Sequence, residues 1–100
     1  MATYTQAGTL KVLWTTATID LTSTTTGTTA VSSGVVLTGA ALGDPVILGT
    51  ETAVAAGLHY DGFVSAADEV KVQVANVSAG TVDSASQIFH IGVVKLQSYS

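Results

Sequence analysis

One hundred residues amount to one domain of common size, and three cationic against seven acidic side chains leave a net charge of −4. Lys11, Lys71 and Lys95 stand singly, which excludes the clustered cations that displace counterions from nucleic-acid phosphates. With no cysteine there is no disulfide framework, thiolate metal site or cysteine nucleophile. Hydrophobic residues make up 47% of the chain and charged ones only 10%, whereas soluble surfaces are usually about 25–35% charged. A domain of this size leaves roughly a third of its unfolded surface facing water, and these charges are too few to cover it. The composition predicts an assembly component, part of whose exterior is covered by protein. Residues 1–8 lack the basic start and apolar core of a signal peptide. The longest apolar stretches, such as 53–58, fall far short of a membrane span. Synthesis and folding in a cytoplasm, without membrane or nucleic-acid partners, are expected.

In chain order, residues 1–8 carry no core pattern and read as an extended N-terminal arm, of the kind that only a partner orders. Leu10, Val12 and Trp14 alternate with Lys11 and Leu13, predicting a strand, and 17–22 predicts another. The Thr-rich run 22–33 (TSTTTGTTAVSS) reads as a solvated loop plus an edge strand. Its hydroxyls could also meet a partner without desolvating charge. Strands follow at 34–38, 45–49 and 58–65. Gly43-Asp44-Pro45 is a turn entering a strand: the residue before proline is biased away from the α region, and proline at a first strand position forfeits no ladder hydrogen bond. Residues 52–56 read as a loop or a single helical turn. Ser65-Ala66-Ala67-Asp68 reads as a tight hairpin loop whose Asp can bond nearby backbone amides.

Val70, Val72 and Val74 then alternate with Lys71, Gln73 and Ala75 in a strand over 69–77, and a loop at 78–87 leads to the last strand. That strand, 88–96, is apolar on both faces, with Phe89, Ile91 and Val93 opposite Ile88, Val94 and Leu96. It suits a central strand, or one whose outer face meets a partner. Period-two alternation, β-branched residues and the absence of long helix signals predict an all-β fold. About seven strands form a single antiparallel β-sandwich or barrel-like domain spanning residues 1–100.

Catalysis would have to use His59 or His90, the only histidines, both in predicted strands beside apolar neighbours. No G-x-S-x-G elbow surrounds a serine, so no enzyme and no cofactor are expected. The carboxylates are too dispersed for an EF-hand loop. Asp68 and Glu69, joined by Asp61, form either a solvated turn or a loop calcium site, and the turn is the expectation. Gly34, Gly39 and Gly43 are too loosely spaced to cradle a phosphate. Asn76-Val77-Ser78 matches a glycosylation sequon but reads as a turn. Phe63 and Phe89 are expected in the core. Tyr4, Trp14 and Tyr99 lie toward the termini, where an aromatic side chain can anchor an interface. Together with Thr24, Thr25 and Thr26 they are the interface candidates.

Three pieces, VVLTGAALGDPVILG, LHYDGFVSAADEVKVQVANVSAG and VDSASQIFHIGVVK, run from about residue 34 to 95. In order and turn signatures they resemble small structural proteins of tailed bacteriophages, the capsid decoration (cement) proteins that clamp major capsid proteins together on icosahedral heads. Related domains occur in tail and fibre proteins. The resemblance implies a virion protein on the capsid exterior, with the major capsid protein and itself, as dimer or trimer, for partners. It supplies no catalytic residues. The alternative it leaves is a tail, fibre or baseplate module contacting host carbohydrate; a non-viral binding or surface-layer module is a third possibility.

Overall fold

Seven strands carry the alternation: β1 (Gly8–Ile19), β2 (Thr29–Val31), β3 (Val35–Val36), β4 (Val46–Thr50), β5 (Leu58–Ala66), β6 (Glu69–Asn76) and β7 (Gln87–Ser98). They belong to a computed structural model that describes residues 8–21, 23–83 and 86–98. Among these there is no helix. The strands form two antiparallel sheets in a sandwich-like, all-β arrangement. The first sheet has the order β1-β7-β4. The second is centred on β6, with β5 along one edge and the short β2 and β3 end to end along the other. Ser32 fills the break between those two: its amide donates to the Val72 carbonyl at 2.7 Å and its Oγ accepts from the Val72 amide at 2.9 Å.

The two central strands supply the core. Phe89, Ile91 and Val93 of β7 and Val70, Val72 and Val74 of β6 are all buried, joined by Ile19, Leu21, Leu37, Leu58 and Val64. Tyr60 stands edge-on to Phe89, with ring centroids 5.2 Å apart. Where β4 closes over β5, a Cβ on Gly62 would lie 2.7 Å from Val46 Cγ1 and 3.2 Å from Leu48 Cδ2. Only a residue without a side chain lets the sheets approach here.

A polar hub closes one end. Buried Asn76 donates through Nδ2 to the carbonyls of Thr24 (2.8 Å) and Gly80 (2.9 Å). Its Oδ1 accepts from the Ser78 amide (2.8 Å) and hydroxyl (2.6 Å). One side chain thus ties the loop between β1 and β2 and the loop between β6 and β7 to the core, with its hydrogen-bonding capacity satisfied.

Several expectations change. The two strands expected at 10–14 and 17–22 are one, because β7 runs alongside for its full length and the register passes unbroken from Gly8↔Ser98 to Ile19↔Gln87. Gly8 therefore belongs to β1; the rest of the expected arm, residues 1–7, lies outside the described residues. The hairpin turn is Ala67–Asp68 alone, with β5 extended to Ala66 through a bulge at Ser65. Asp68 adopts φ 63°, which Asp tolerates better than most residues. Its Oδ1 accepts from the Gly39 amide across the sheet edge at 2.8 Å, rather than from a neighbour in its own turn. Phe63 is not core: it is 38% exposed, because Leu58, Tyr60, Gly62 and Val64 take the inward positions of β5 and leave the odd residues outside.

The turn before β4 is held by charge. Asp44 Oδ2 accepts from Lys95 Nζ at 2.7 Å and from the Ala41 amide at 3.0 Å. These bonds hold the Asp44 carboxyl below its ordinary value of 3.8, the lysine contributing most. A carboxyl depressed on folding stabilises fully above its unfolded pKa and loses that contribution as pH falls through the folded one. Stability therefore falls as pH drops below about 4. The Asp44→Asn variant is expected to show a shallower acid limb in urea midpoints measured against pH, and an unchanged limb would contradict the pairing.

Candidate functional site: the outer face of the first sheet

The strand parity that buries Phe89, Ile91 and Val93 turns Ile88, His90, Gly92 and Val94 outward. In register with them, β1 presents Val12, Trp14, Thr16 and Thr18, and β4 presents Ile47 and Gly49. The central row is Trp14–Gly92–Ile47. Trp14 is 70% exposed and Ile47 58%, two apolar walls with no side chain between them. The next row, Thr16–His90–Gly49, carries a second glycine. The result is a shallow trough floored by Gly92 and Gly49 and lined by Val12, Trp14, Ile47 and His90. Space does not force the central glycine, since a Cβ there would sit 3.6 Å from Val12 Cγ1, an ordinary contact. What the glycine provides is depth.

Charge is nearly absent from this face. His90 Nε2 lies 2.7 Å from Glu51 Oε2 at one end of the trough, both about half exposed. Val12, Trp14, Ile47 and Ile88 are otherwise flanked by threonine, glycine and valine. The outer face of the second sheet differs: its exposed apolar residues, Phe63, Val31 and Val36, stand among His59, Asp61, Glu69, Lys71 and Gln73. Single apolar residues among charges need no explanation, but a contiguous apolar patch rimmed by polar groups marks an interaction site.

Of the interface candidates, Trp14 stands at the centre of this patch. Thr25 and Thr26 are exposed, but at the turn before β2, where Thr28 Oγ1 donates to the Thr25 carbonyl at 2.6 Å. They do not join Trp14. Thr24 is a correction: it is buried, its amide and carbonyl exchanging 2.9 Å bonds with Val82. A Thr-rich composition concealed that one threonine closes a long-range pair. Tyr4 and Tyr99 lie outside the described residues. Ile47, Gly49 and Gly92 carry no local sequence signal as site residues; the apolar outer face of β7 is the one feature that points toward them.

The three carboxylates considered for calcium are engaged separately. Asp68 takes the Gly39 amide, Glu69 the Ser65 hydroxyl and Asp61 the Gly62 amide. No cluster of three metal-ligating side chains occurs among the described residues. His90 has Glu51 as its side-chain partner there, with no hydroxyl bonded to it.

Comparisons with protein-family models, with characterised proteins and with solved structures give no match.

Proposed function

We propose that this chain is a structural virion protein: a capsid decoration protein that lies on the outer surface of an assembled phage head and bridges neighbouring capsomers. The observation that carries the reading is the nearly uncharged outer face of β1-β7-β4, with Trp14 standing over the Gly92 trough. Burying such a face stabilises by roughly 25 cal/mol per Å², less the cost of immobilising the protein. A stable interface uses about 800 Å² per partner. Repetition over a symmetric shell turns a modest contact into substantial reinforcement. The acidic balance suits the exterior, away from packaged DNA, after synthesis in the host cytoplasm. The reading assigns no catalysis, no cofactor and no nucleic-acid contact.

The test is co-sedimentation with heads that lack the protein. Saturable binding to assembled heads, and none to free capsid subunits, is the expected result. A buried tryptophan anchor is worth about 2 kcal/mol or more, so Trp14→Lys is expected to weaken binding by about 30-fold. Wild-type protein that stays in the supernatant would remove the reading.

One observation favours a second reading, a tail, fibre or baseplate module that binds host carbohydrate. Trp14 lines the same trough as His90, which Glu51 holds at 2.7 Å, and an aromatic ring beside a polar pair can hold a sugar ring. Glycan-array binding lost on Trp14→Ala, without head binding, would establish it in place of the first.

A further inference from the structure

We infer that β1 is a pairing edge for a second copy of this chain, joining two first sheets into one continuous six-stranded sheet. The inference goes beyond the shell reading and stands without it.

The hydrogen-bond parity of β7 identifies the free groups. The Val94 amide donates to the Pro45 carbonyl at 3.0 Å, and the Ile88 carbonyl accepts from the Glu51 amide at 3.2 Å. Even-numbered residues of β7 thus direct their backbone groups toward β4, and odd ones toward β1. In an antiparallel ladder, directly opposed residues either both face each other or both face away. Since Leu13 opposes Val93 and Thr15 opposes Ile91, the odd residues of β1 bond β7. The even ones, from Leu10 through Val12, Trp14 and Thr16 to Thr18, direct their amides and carbonyls outward. Among the described residues none of those amides bonds elsewhere, and the Thr16 carbonyl has only a 3.4 Å contact from the Thr15 hydroxyl. Beside the end of β1, a cleft bounded by Ala17, Ile19, Ser33 and Val35 stays open.

Sheet edges invite pairing, and proteins blunt them with short strands, proline, bulges or charge. The other edges are blunted in these ways. β2 and β3 have three and two residues. β4 has five and follows Pro45. β5 carries a bulge, His59 and Asp61. β1 runs for twelve residues with no proline and a single charge, Lys11.

A second copy suits this edge better than a different strand for three reasons. Antiparallel pairing of β1 with itself is two-fold, so it consumes the one unblunted edge among the described strands of each molecule and closes. None of the seven carboxylates lies on β1, so two chains of net charge −4 meet where neither is acidic. Pairing even residues with even residues about an axis at Leu13 or Trp14 forms about ten backbone hydrogen bonds. It sets Trp14 against Val12 or Trp14 of the second copy, pairs of the kind that stabilise sheets. Lys11 then opposes Thr15 or Ala17, so the ammonium groups do not face each other. The two outer faces become one, doubling the apolar trough.

The experiment is sedimentation equilibrium of the purified protein alone. A mass about twice the 10.0 kDa of the chain is expected. Thr16→Pro removes an outward amide without touching the β7 ladder, and Trp14→Lys brings two ammonium groups together at the axis. Each is expected to raise the dimer dissociation constant at least 30-fold with the β circular-dichroism signal kept, while Val36→Lys, on the second sheet, leaves the dimer intact. Should Thr16→Pro fail to fold, Trp14→Lys and slowed amide exchange at Val12, Trp14 and Thr16 in the wild-type dimer carry the test. A wild-type monomer up to the solubility limit would overturn the inference, as would a dimer that survives both variants. A monomer whose β1 amides gain protection only on heads would assign the edge to a shell strand and overturn it equally. Head binding is read separately by co-sedimentation, so failure of the dimer and failure of the shell reading are distinguishable.

Discussion

Phe89→Ala is expected to lower the unfolding free energy by about 4 kcal/mol, the largest effect of any single truncation in this chain. Phe89 is 1% exposed. Its neighbours across the first sheet are Ala17 and Thr50, small side chains whose space the ring fills. Removing the ring leaves a cavity that those residues cannot fill, and the edge-on contact with Tyr60 is lost as well. Since a domain of this kind is stable by about 5–15 kcal/mol in all, the variant is expected to keep only a fraction of its margin. The check is the urea midpoint with an unchanged m-value. A loss below about 1 kcal/mol would mean that the ring does not fill the sandwich centre.

The second large effect is expected at Asn76. Truncation to alanine removes four side-chain hydrogen bonds at once and strips buried partners of their match. The Thr24 carbonyl keeps the Val82 amide and the Gly80 carbonyl keeps the Ser78 hydroxyl, so the cost falls mainly on the Ser78 amide and on the lost tie itself, and about 2–3 kcal/mol is expected. Asn76→Asp separates hydrogen bonding from packing. It keeps the shape but aims a carboxylate oxygen at the two carbonyls that Nδ2 now serves, so it is expected to destabilise at least as much as alanine. Hydrogen exchange should localise the damage to 24–28 and 78–82, the loops this side chain ties together. An Asp variant as stable as the wild type would show that the amide is not the tie.

These two residues mark what was legible in the sequence and what was not. β6 and β7 could be read directly, because Val70, Val72 and Val74, and likewise Phe89, Ile91 and Val93, alternate without interruption and are central in their sheets. β1 read as two strands because Thr15 and Thr16 break the apolar period; its continuity comes from twelve residues of β7 beside it. Phe63 read as core on hydrophobicity alone, yet the phase of β5 is set by Leu58 and Val64, and the inward slot beside it belongs to Gly62 so that β4 can approach. Thr24 read as surface within a threonine tract, while its burial depends on Val82 and Asn76, both distant in sequence. The site was half legible. Trp14 carried an aromatic signal, but its trough exists only because the register aligns it with Gly92 and Ile47, which no local pattern specifies.

The central claim is that neighbouring protein covers the outer face of the first sheet, and Trp14, the only tryptophan in the chain, reports on it directly. Protein labelled with 5-fluorotryptophan, bound to heads lacking it, can be followed by ¹⁹F resonance while a collisional quencher or solvent-isotope shift probes indole exposure. The account predicts a solvent-exposed indole in the dilute free chain and a shielded one on decorated heads. An indole equally open to solvent in both would contradict it.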